Sequence, residues 1–147
     1  MIVLGLLSPL FWALAAICNA IMDTVADRPH FEQSIFSKYS SEFWLKTESW
    51  DNKYNDIDGD GEGDVEGGFK HKGMFGFLNN LLDGWHLFQS LMIICLSLSV
   101  VLFQFTTELF IFDSIFLNIV MWIVILAALW NIPFNWAYDR FLKIDKV

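Results

Sequence analysis

Three long runs of apolar residues most constrain how this chain can fold. The first covers residues 2–22 and has no charged side chain, and the other two cover about 87–105 and 109–130. A helix that crosses a bilayer needs about 20 predominantly apolar residues, and each run has about that length. The sequence therefore predicts an all-α integral membrane protein with three transmembrane helices and a polar loop between helices one and two.

The overall composition agrees with a membrane protein. Of the 147 residues, 55% are hydrophobic and 17% are aromatic, and the formal net charge is −8. An acidic chain with scattered lysines lacks the basic patch that binds nucleic acid, so we expect no nucleic-acid partner. Cys18 and Cys95 lie within apolar runs, and no disulfide framework is predicted.

A secretory signal peptide is the alternative explanation of the first apolar run. Such a peptide begins with basic residues and ends at a small-x-small cleavage site. No Lys or Arg precedes the run, although residues 13–16 offer a cleavage site. Cleavage therefore stays a minor alternative to a spanning helix.

The positions of the basic residues predict the orientation in the membrane. All nine Lys and Arg residues lie in the loop 23–86 or in the tail 131–147. Three spans put these two segments on the same side, and an excess of basic residues marks the cytoplasmic side. We therefore predict one membrane domain, 1–147, in the cell inner membrane, with the N-terminus outside and the loop and tail in the cytoplasm.

The first half of the loop has its own pattern. Between residues 31 and 50, aromatic and aliphatic side chains recur at three- and four-residue steps. This spacing predicts one or two short amphipathic helices that lie in the interface with their aromatic residues toward lipid. A small apolar core above the membrane surface would give the same pattern.

Two groups of Asp and His residues flank the loop. Asp83 and His86 stand where the second span begins, and Asp23, Asp27 and His30 follow the first. Asp23 and Asp27 are four residues apart, which predicts that they share a helical face. If helices one and two pack together, these five residues could converge as ligands of Zn, Fe or Mn, or as an acid–base site. Ordinary solvation of helix ends is the alternative.

An acidic, glycine-rich stretch covers residues 56–67. It resembles the calcium loops of EF-hand and dockerin-like modules, with Asp56, Asp58 and Asp60 at positions one, three and five and Asp64 at position nine. Gly67 replaces the glutamate of position twelve, so calcium binding would be weak. A flexible acidic linker is the alternative.

Two short motifs resemble a family of small, uncharacterised bacterial integral membrane proteins. Residues 50–54 give Trp-x-Asn-Lys-Tyr and residues 83–86 give Asp-x-Trp-His. In that family similar motifs stand before a helix, with another Asp/His group upstream. The resemblance covers roughly residues 20–100 and implies an organised polar site without implying an activity.

Two functional hypotheses follow from these features. The first is a metal-dependent hydrolase of a lipid or another amphiphile at the cytoplasmic interface, in which Arg28 and Lys53 hold an anionic headgroup. The second is a non-catalytic membrane subunit or scaffold with a weak calcium-binding loop. Its partners would be membrane lipids and either a second copy of the chain or another membrane protein.

Overall fold

The fold is known from a computed structural model that describes residues 2–49, 53–70, 83–103 and 113–144. Its elements are α1 (Ile2–Thr24), α2 (Arg28–Glu32), a 3₁₀ turn (Ile35–Lys38), α3 (Ser41–Trp44), a second 3₁₀ turn (Val65–Gly67), α4 (Gly84–Phe103), α5 (Ile115–Trp136) and a π-helical turn (Ala137–Phe141). Over these ranges the chain forms isolated β-bridges but no strand. Because α1, α4 and α5 are long and apolar enough to cross a membrane, the predicted all-α protein with three transmembrane helices is confirmed.

The second membrane helix begins earlier than its apolar run suggests. α4 starts at Gly84, three residues before the predicted start of the span at Leu87. The side chain of Asp83 accepts the backbone N–H of His86 at 2.7 Å, which is the bond that an N-cap aspartate makes. The cap therefore adds residues 84–86 to the helix.

The third membrane helix ends later than predicted. α5 runs to Trp136 rather than Trp130 and includes Pro133. A proline removes one backbone hydrogen bond, and membrane helices tolerate this where neighbouring groups hold the chain. Residues 104–112, where the predicted second span ends and the third begins, lie outside the described residues.

α1 is the central helix of the bundle and packs against both α4 and α5. Its inner face is made of small residues, since Ala15, Ala16 and Ala20 are all fully buried. Small side chains allow the backbones of membrane helices to approach closely. The buried share is 39% for the α1 span but only 6% for each of the other two, so α4 and α5 turn most of their surface outward.

Hydrogen bonds from side chains fasten α1 to its two neighbours. The Ser8 hydroxyl donates to the Ser99 carbonyl at 2.9 Å, and the Ser99 hydroxyl donates to the Ser8 carbonyl at 3.0 Å. Trp12 Nε1 donates to the Leu126 carbonyl at 2.9 Å. Interhelical bonds of this kind contribute about 0.6 kcal/mol each on average, so they fix the register of the helices more than they hold the bundle together.

A small apolar core lies at the end of the bundle where α1 ends, α4 begins and α5 ends. We call it the cap core, and its buried members are Ala20, Val25, Phe31, Phe36, Leu45, Ala137 and Leu142. Phe31 and Phe36 are 5% and 7% exposed, so the loop places them in this core and not toward lipid. Of the two alternatives for the loop pattern, the structure shows a small apolar core.

Backbone pairing ties the tail of the chain to the loop. Ser34 and Lys143 form an antiparallel β-bridge. Next to it the Ile35 N–H donates to the Leu142 carbonyl, and the Ile144 N–H donates to the Gln33 carbonyl, both at 2.8 Å. The cap core is therefore closed by two segments that lie far apart in the sequence.

Candidate functional site

Both Asp-x-x-His pairs form N-caps of helices. Asp27 Oδ1 accepts the backbone N–H of His30 at 3.1 Å, as Asp83 does for His86 at the start of α4. The imidazole ring of each histidine also contacts the carboxylate of the aspartate that caps its helix. Nδ1 lies 2.7 Å from the Asp27 carboxylate in one pair and 2.8 Å from the Asp83 carboxylate in the other. The spacing of three residues therefore has a local structural cause at both places.

The two pairs differ in their surroundings. The side chains of Asp27 and His30 are 53% and 48% exposed, whereas Asp83 is fully buried. Lys53 reaches Asp83 from the loop and forms an ion pair with it, and only 10% of the lysine side chain is exposed. The His86 side chain is 31% exposed. We call Lys53, Asp83 and His86 the polar triad.

The geometry of the polar triad allows two tautomers of His86. Nδ1 of His86 is 3.1 and 2.8 Å from the two oxygens of Asp83 and 2.8 Å from Nζ of Lys53. A carboxylate only accepts hydrogen bonds and an ammonium only donates them, so Nδ1 donates to Asp83 in one tautomer and accepts from Lys53 in the other. In the tautomer with the proton on Nδ1, Lys53 donates to Asp83, and Nε2 carries the free lone pair and is the basic nitrogen of the ring.

Aromatic rings and a second lysine lie beside the polar triad. The Trp85 and His86 rings have centroids 4.8 Å apart, and Nζ of Lys46 lies 3.9 Å from the centroid of Trp85. Trp44 packs so closely on the start of α4 that a Cβ at Gly84 would lie 2.7 Å from its ring. Glycine at this position therefore lets α3 and the start of α4 meet.

The five predicted metal ligands do not form one group. Among the described residues, one set of three or more metal-ligating side chains has its ligand atoms within 4.8 Å, and it is in the acidic loop. Asp23, Asp27, His30, Asp83 and His86 are instead divided: His30 contacts Tyr138 beside the tail, whereas His86 contacts Trp85 and Lys53. Lys53 already neutralises Asp83 with its ammonium group. Asp83 and His86 in this arrangement therefore do not form a site for a divalent metal.

Asp23 and Asp27 do not share a helical face. α1 ends at Thr24, and Asp27 has extended backbone angles as the N-cap of α2. The pKa of Asp27 is lowered from its ordinary value, first by the hydrogen bond from the His30 backbone and then by the bond from its ring. Asp27 is therefore an exposed, ionised cap.

The two predicted headgroup-binding cations are both neutralised by carboxylates. Arg28 forms ion pairs with Glu32 and Glu48, and Lys53 forms one with Asp83. Lys46 contacts an indole ring, and no carboxylate among the described residues lies within 4.0 Å of its Nζ. No local sequence signal pointed to Lys46, because the tertiary fold alone brings it to Trp85.

The base of the acidic loop holds Lys53 in position. Tyr54 and Phe69 form a β-bridge and stack with centroids 4.8 Å apart. The Lys70 N–H donates to the Lys53 carbonyl at 2.8 Å. The loop is therefore closed directly beside the polar triad.

Within the acidic loop, three of the four predicted calcium ligands converge. Ligand oxygens of Asp56, Asp58 and Asp64 lie within 4.8 Å of one another. Asp60 is not part of this group and accepts the backbone N–H of Glu62 at 2.8 Å. Gly61 has φ +95°, and its N–H donates to Asp56 at 3.0 Å, as a turn glycine in a calcium loop would.

Comparison with protein-family models, with curated proteins and with solved structures found no match. The resemblance to a family of bacterial membrane proteins therefore stays a prediction. Of its first motif, residues 50–52 lie outside the described residues. Of the residues that the structure describes, Lys53 of the first motif touches Asp83 and His86 of the second.

Proposed function

We propose that the polar triad is an acid–base site that acts on a lipid or another amphiphile at the membrane interface. One observation carries this proposal: fully buried Asp83 contacts both Lys53 and the ring of His86 at the start of a membrane-spanning helix. A carboxylate that fixes the tautomer and orientation of an imidazole is the usual support of a histidine general base.

The reaction would use the partly exposed face of His86. Nε2 takes a proton from a water molecule, whose oxygen attacks an ester or phosphoester of the amphiphile. Asp83 stabilises the imidazolium that forms, and the imidazolium then returns the proton to the leaving oxygen. Lys53 compensates the charge of Asp83 in its buried position, where an unpaired carboxylate would be costly.

The charge distribution supports a cytoplasmic location of this site in the inner membrane. The described parts of the loop and the tail contain seven basic residues: Arg28, Lys38, Lys46, Lys53, Lys70, Arg140 and Lys143. All lie at the end of the bundle that holds the polar triad, and basic residues next to spans favour the cytoplasmic side.

A rate comparison tests the proposal. Purified protein in nanodiscs would be assayed against a panel of short-chain carboxyl and phosphate esters of glycerol. We expect His86→Asn to lower kcat by at least about 100-fold, the usual contribution of a general base. His30→Asn is the matched control and should leave the rate unchanged, because His30 belongs to an exposed cap. Equal rates for the wild type and His86→Asn would refute the acid–base site.

A metal-dependent form of the same site is distinguished by metal analysis. It would need Lys53 to leave Asp83, so that Asp83 and His86 could each give one ligand to Zn, Fe or Mn. Stoichiometric metal in the purified wild type that is lost in His86→Ala would replace the metal-free mechanism with this one.

A non-catalytic membrane subunit or scaffold is the second candidate function. The outward apolar surfaces of α4 and α5 favour it, because they fit a second copy of the chain or another membrane protein as well as they fit lipid. Light scattering of the protein in detergent tests this candidate. A stable monomer that purifies without a partner would count against it.

The acidic loop would add a weak calcium response to either function. The convergence of Asp56, Asp58 and Asp64 favours it, and the missing position-twelve glutamate limits the affinity to roughly millimolar. Calorimetry of the whole protein with Ca²⁺ checks this, with Asp58→Asn as the comparison variant. No heat at about 10 mM Ca²⁺, well above the weakest such sites, would remove the idea.

A further inference from the structure

We propose that the amphiphile recognised beside the polar triad is anionic, and that Lys46 holds its charged headgroup at the indole of Trp85. The inference rests on the proposed function for the location of the site. Its test measures binding, so that the two can fail separately.

Lys46 keeps a free charge while its position is fixed. Its side chain is exposed, and Nζ lies 3.9 Å from the centroid of the Trp85 ring. Its backbone N–H donates to the Val25 carbonyl at 2.9 Å, which anchors the main chain at the end of α1. A cation–π contact orients an ammonium without neutralising it, so Nζ can still bind an anion.

The neighbouring cations are already neutralised. Lys53 is ion-paired with Asp83 inside the polar triad. Arg28 is ion-paired with Glu32 and Glu48 on the surface. Of the cations considered for this site, Lys46 alone has a ring in place of a carboxylate partner, and it gives the surface beside His86 a local positive charge.

The depth of Trp85 places this charge level with lipid headgroups. Trp85 is the second residue of α4, which is a membrane-spanning helix, and tryptophan at such a position marks the boundary between water and hydrocarbon. Because the Trp85 ring also contacts His86, a headgroup bound at Lys46 would lie next to the basic nitrogen of the polar triad.

The net charge of the whole chain matters for the choice of amphiphile. The formal net charge is −8, so the protein as a whole does not attract anionic lipids. Any preference for an anionic amphiphile must then come from a local cation. One lysine near an anionic headgroup changes binding by about fivefold.

Calorimetry on the full-length protein in phosphatidylcholine nanodiscs tests the proposal. The probes are dihexanoyl phosphatidylglycerol and dihexanoyl phosphatidylcholine below their micellar concentrations, and inorganic phosphate. We expect the anionic lipid to bind more tightly than the other two probes. Lys46→Gln should weaken its binding about fivefold, and Lys46→Arg should restore it. Lys38→Gln, which removes an exposed charge from another turn of the same loop, should leave it unchanged.

Three outcomes would overturn the proposal. Equal weakening by Lys46→Gln and Lys38→Gln would mean unspecific surface charge, and equal binding of phosphatidylcholine would mean no charge selectivity. Binding of inorganic phosphate as tight as that of the lipid would identify a free-phosphate site.

His86→Asn should keep the binding. If binding depends on Lys46 while His86→Asn leaves turnover unchanged, the anion site stands and the acid–base function fails.

Discussion

A buried aspartate needs partners that satisfy its charge, and Asp83 has them in Lys53 and in the ring and backbone of His86. Asp27 makes the same two bonds to His30, yet it is exposed and pairs with no lysine among the described residues. The two aspartates therefore allow one local motif to be compared in a buried and an exposed setting.

Asp83→Asn should be far more destabilising than Asp27→Asn. The first change leaves the ammonium of Lys53 buried without a counter-ion, which costs about 3–5 kcal/mol. The second keeps a side-chain oxygen for the cap at an exposed site and should cost less than about 0.5 kcal/mol. Thermal unfolding of both variants in the same detergent measures the difference. Losses of similar size would show that Lys53 does not depend on Asp83 for its charge balance.

The lowered pKa of Asp27 predicts a small dependence of stability on pH. The folded state binds this proton less readily than the unfolded chain, whose ordinary value is 3.8. The contribution of Asp27 is therefore present above that value and is lost as the pH falls from about 5 through the lowered pKa. In acid unfolding curves, Asp27→Asn should be less sensitive to pH than the wild type in this window. An unchanged slope would contradict the cap.

At the scale of elements, the three membrane helices followed from the sequence because the length of an apolar run reports directly on membrane crossing. Their ends did not. α4 begins where Asp83 caps it, and α5 continues past Asn131 because Phe134 and Tyr138 pack against the cap core. Caps and tertiary contacts of this kind leave no trace in hydropathy.

Gly84→Ala tests the contact between α3 and α4. Alanine favours a helix over glycine by about 1 kcal/mol, but its Cβ would lie 2.7 Å from the ring of Trp44. We expect the clash to prevail with a net loss of about 1–3 kcal/mol. The double variant with Trp44→Leu should recover part of this loss, as measured by thermal unfolding. Strict additivity of the two changes would contradict the contact.

At the scale of the whole molecule, topology alone brings the end of α1 and the start of α4 to one end of the bundle. It does not determine on which side each polar group lies. His30 faces Tyr138 and His86 faces Lys53 and Trp85, so four of the five candidate ligands form two separate pairs, Asp27 with His30 and Asp83 with His86. Lys46 was beyond prediction for the same reason, since its partner lies on another helix.

Leu142→Ala should loosen the cap core as a whole. Leu142 is 1% exposed and pairs through its backbone with Ile35, so a cavity there should cost about 2–4 kcal/mol. Ile57→Ala, at a side chain that is 60% exposed, is the control and should cost little. Chemical unfolding of the detergent-solubilised variants measures both. A mild effect of Leu142→Ala would mean that the tail is dispensable for the cap core.

The bond between Ile35 and Leu142 also sets an order of events during synthesis. α1 emerges from the ribosome before either helix that packs against it. Phe31 and Phe36 stay uncovered until Leu142 has been synthesised and joins the cap core. At about 5–20 residues per second, that wait is on the order of ten seconds. A ribosome that stalls before Leu142 would therefore leave an inserted protein whose aromatic residues are still uncovered and available to quality-control proteases.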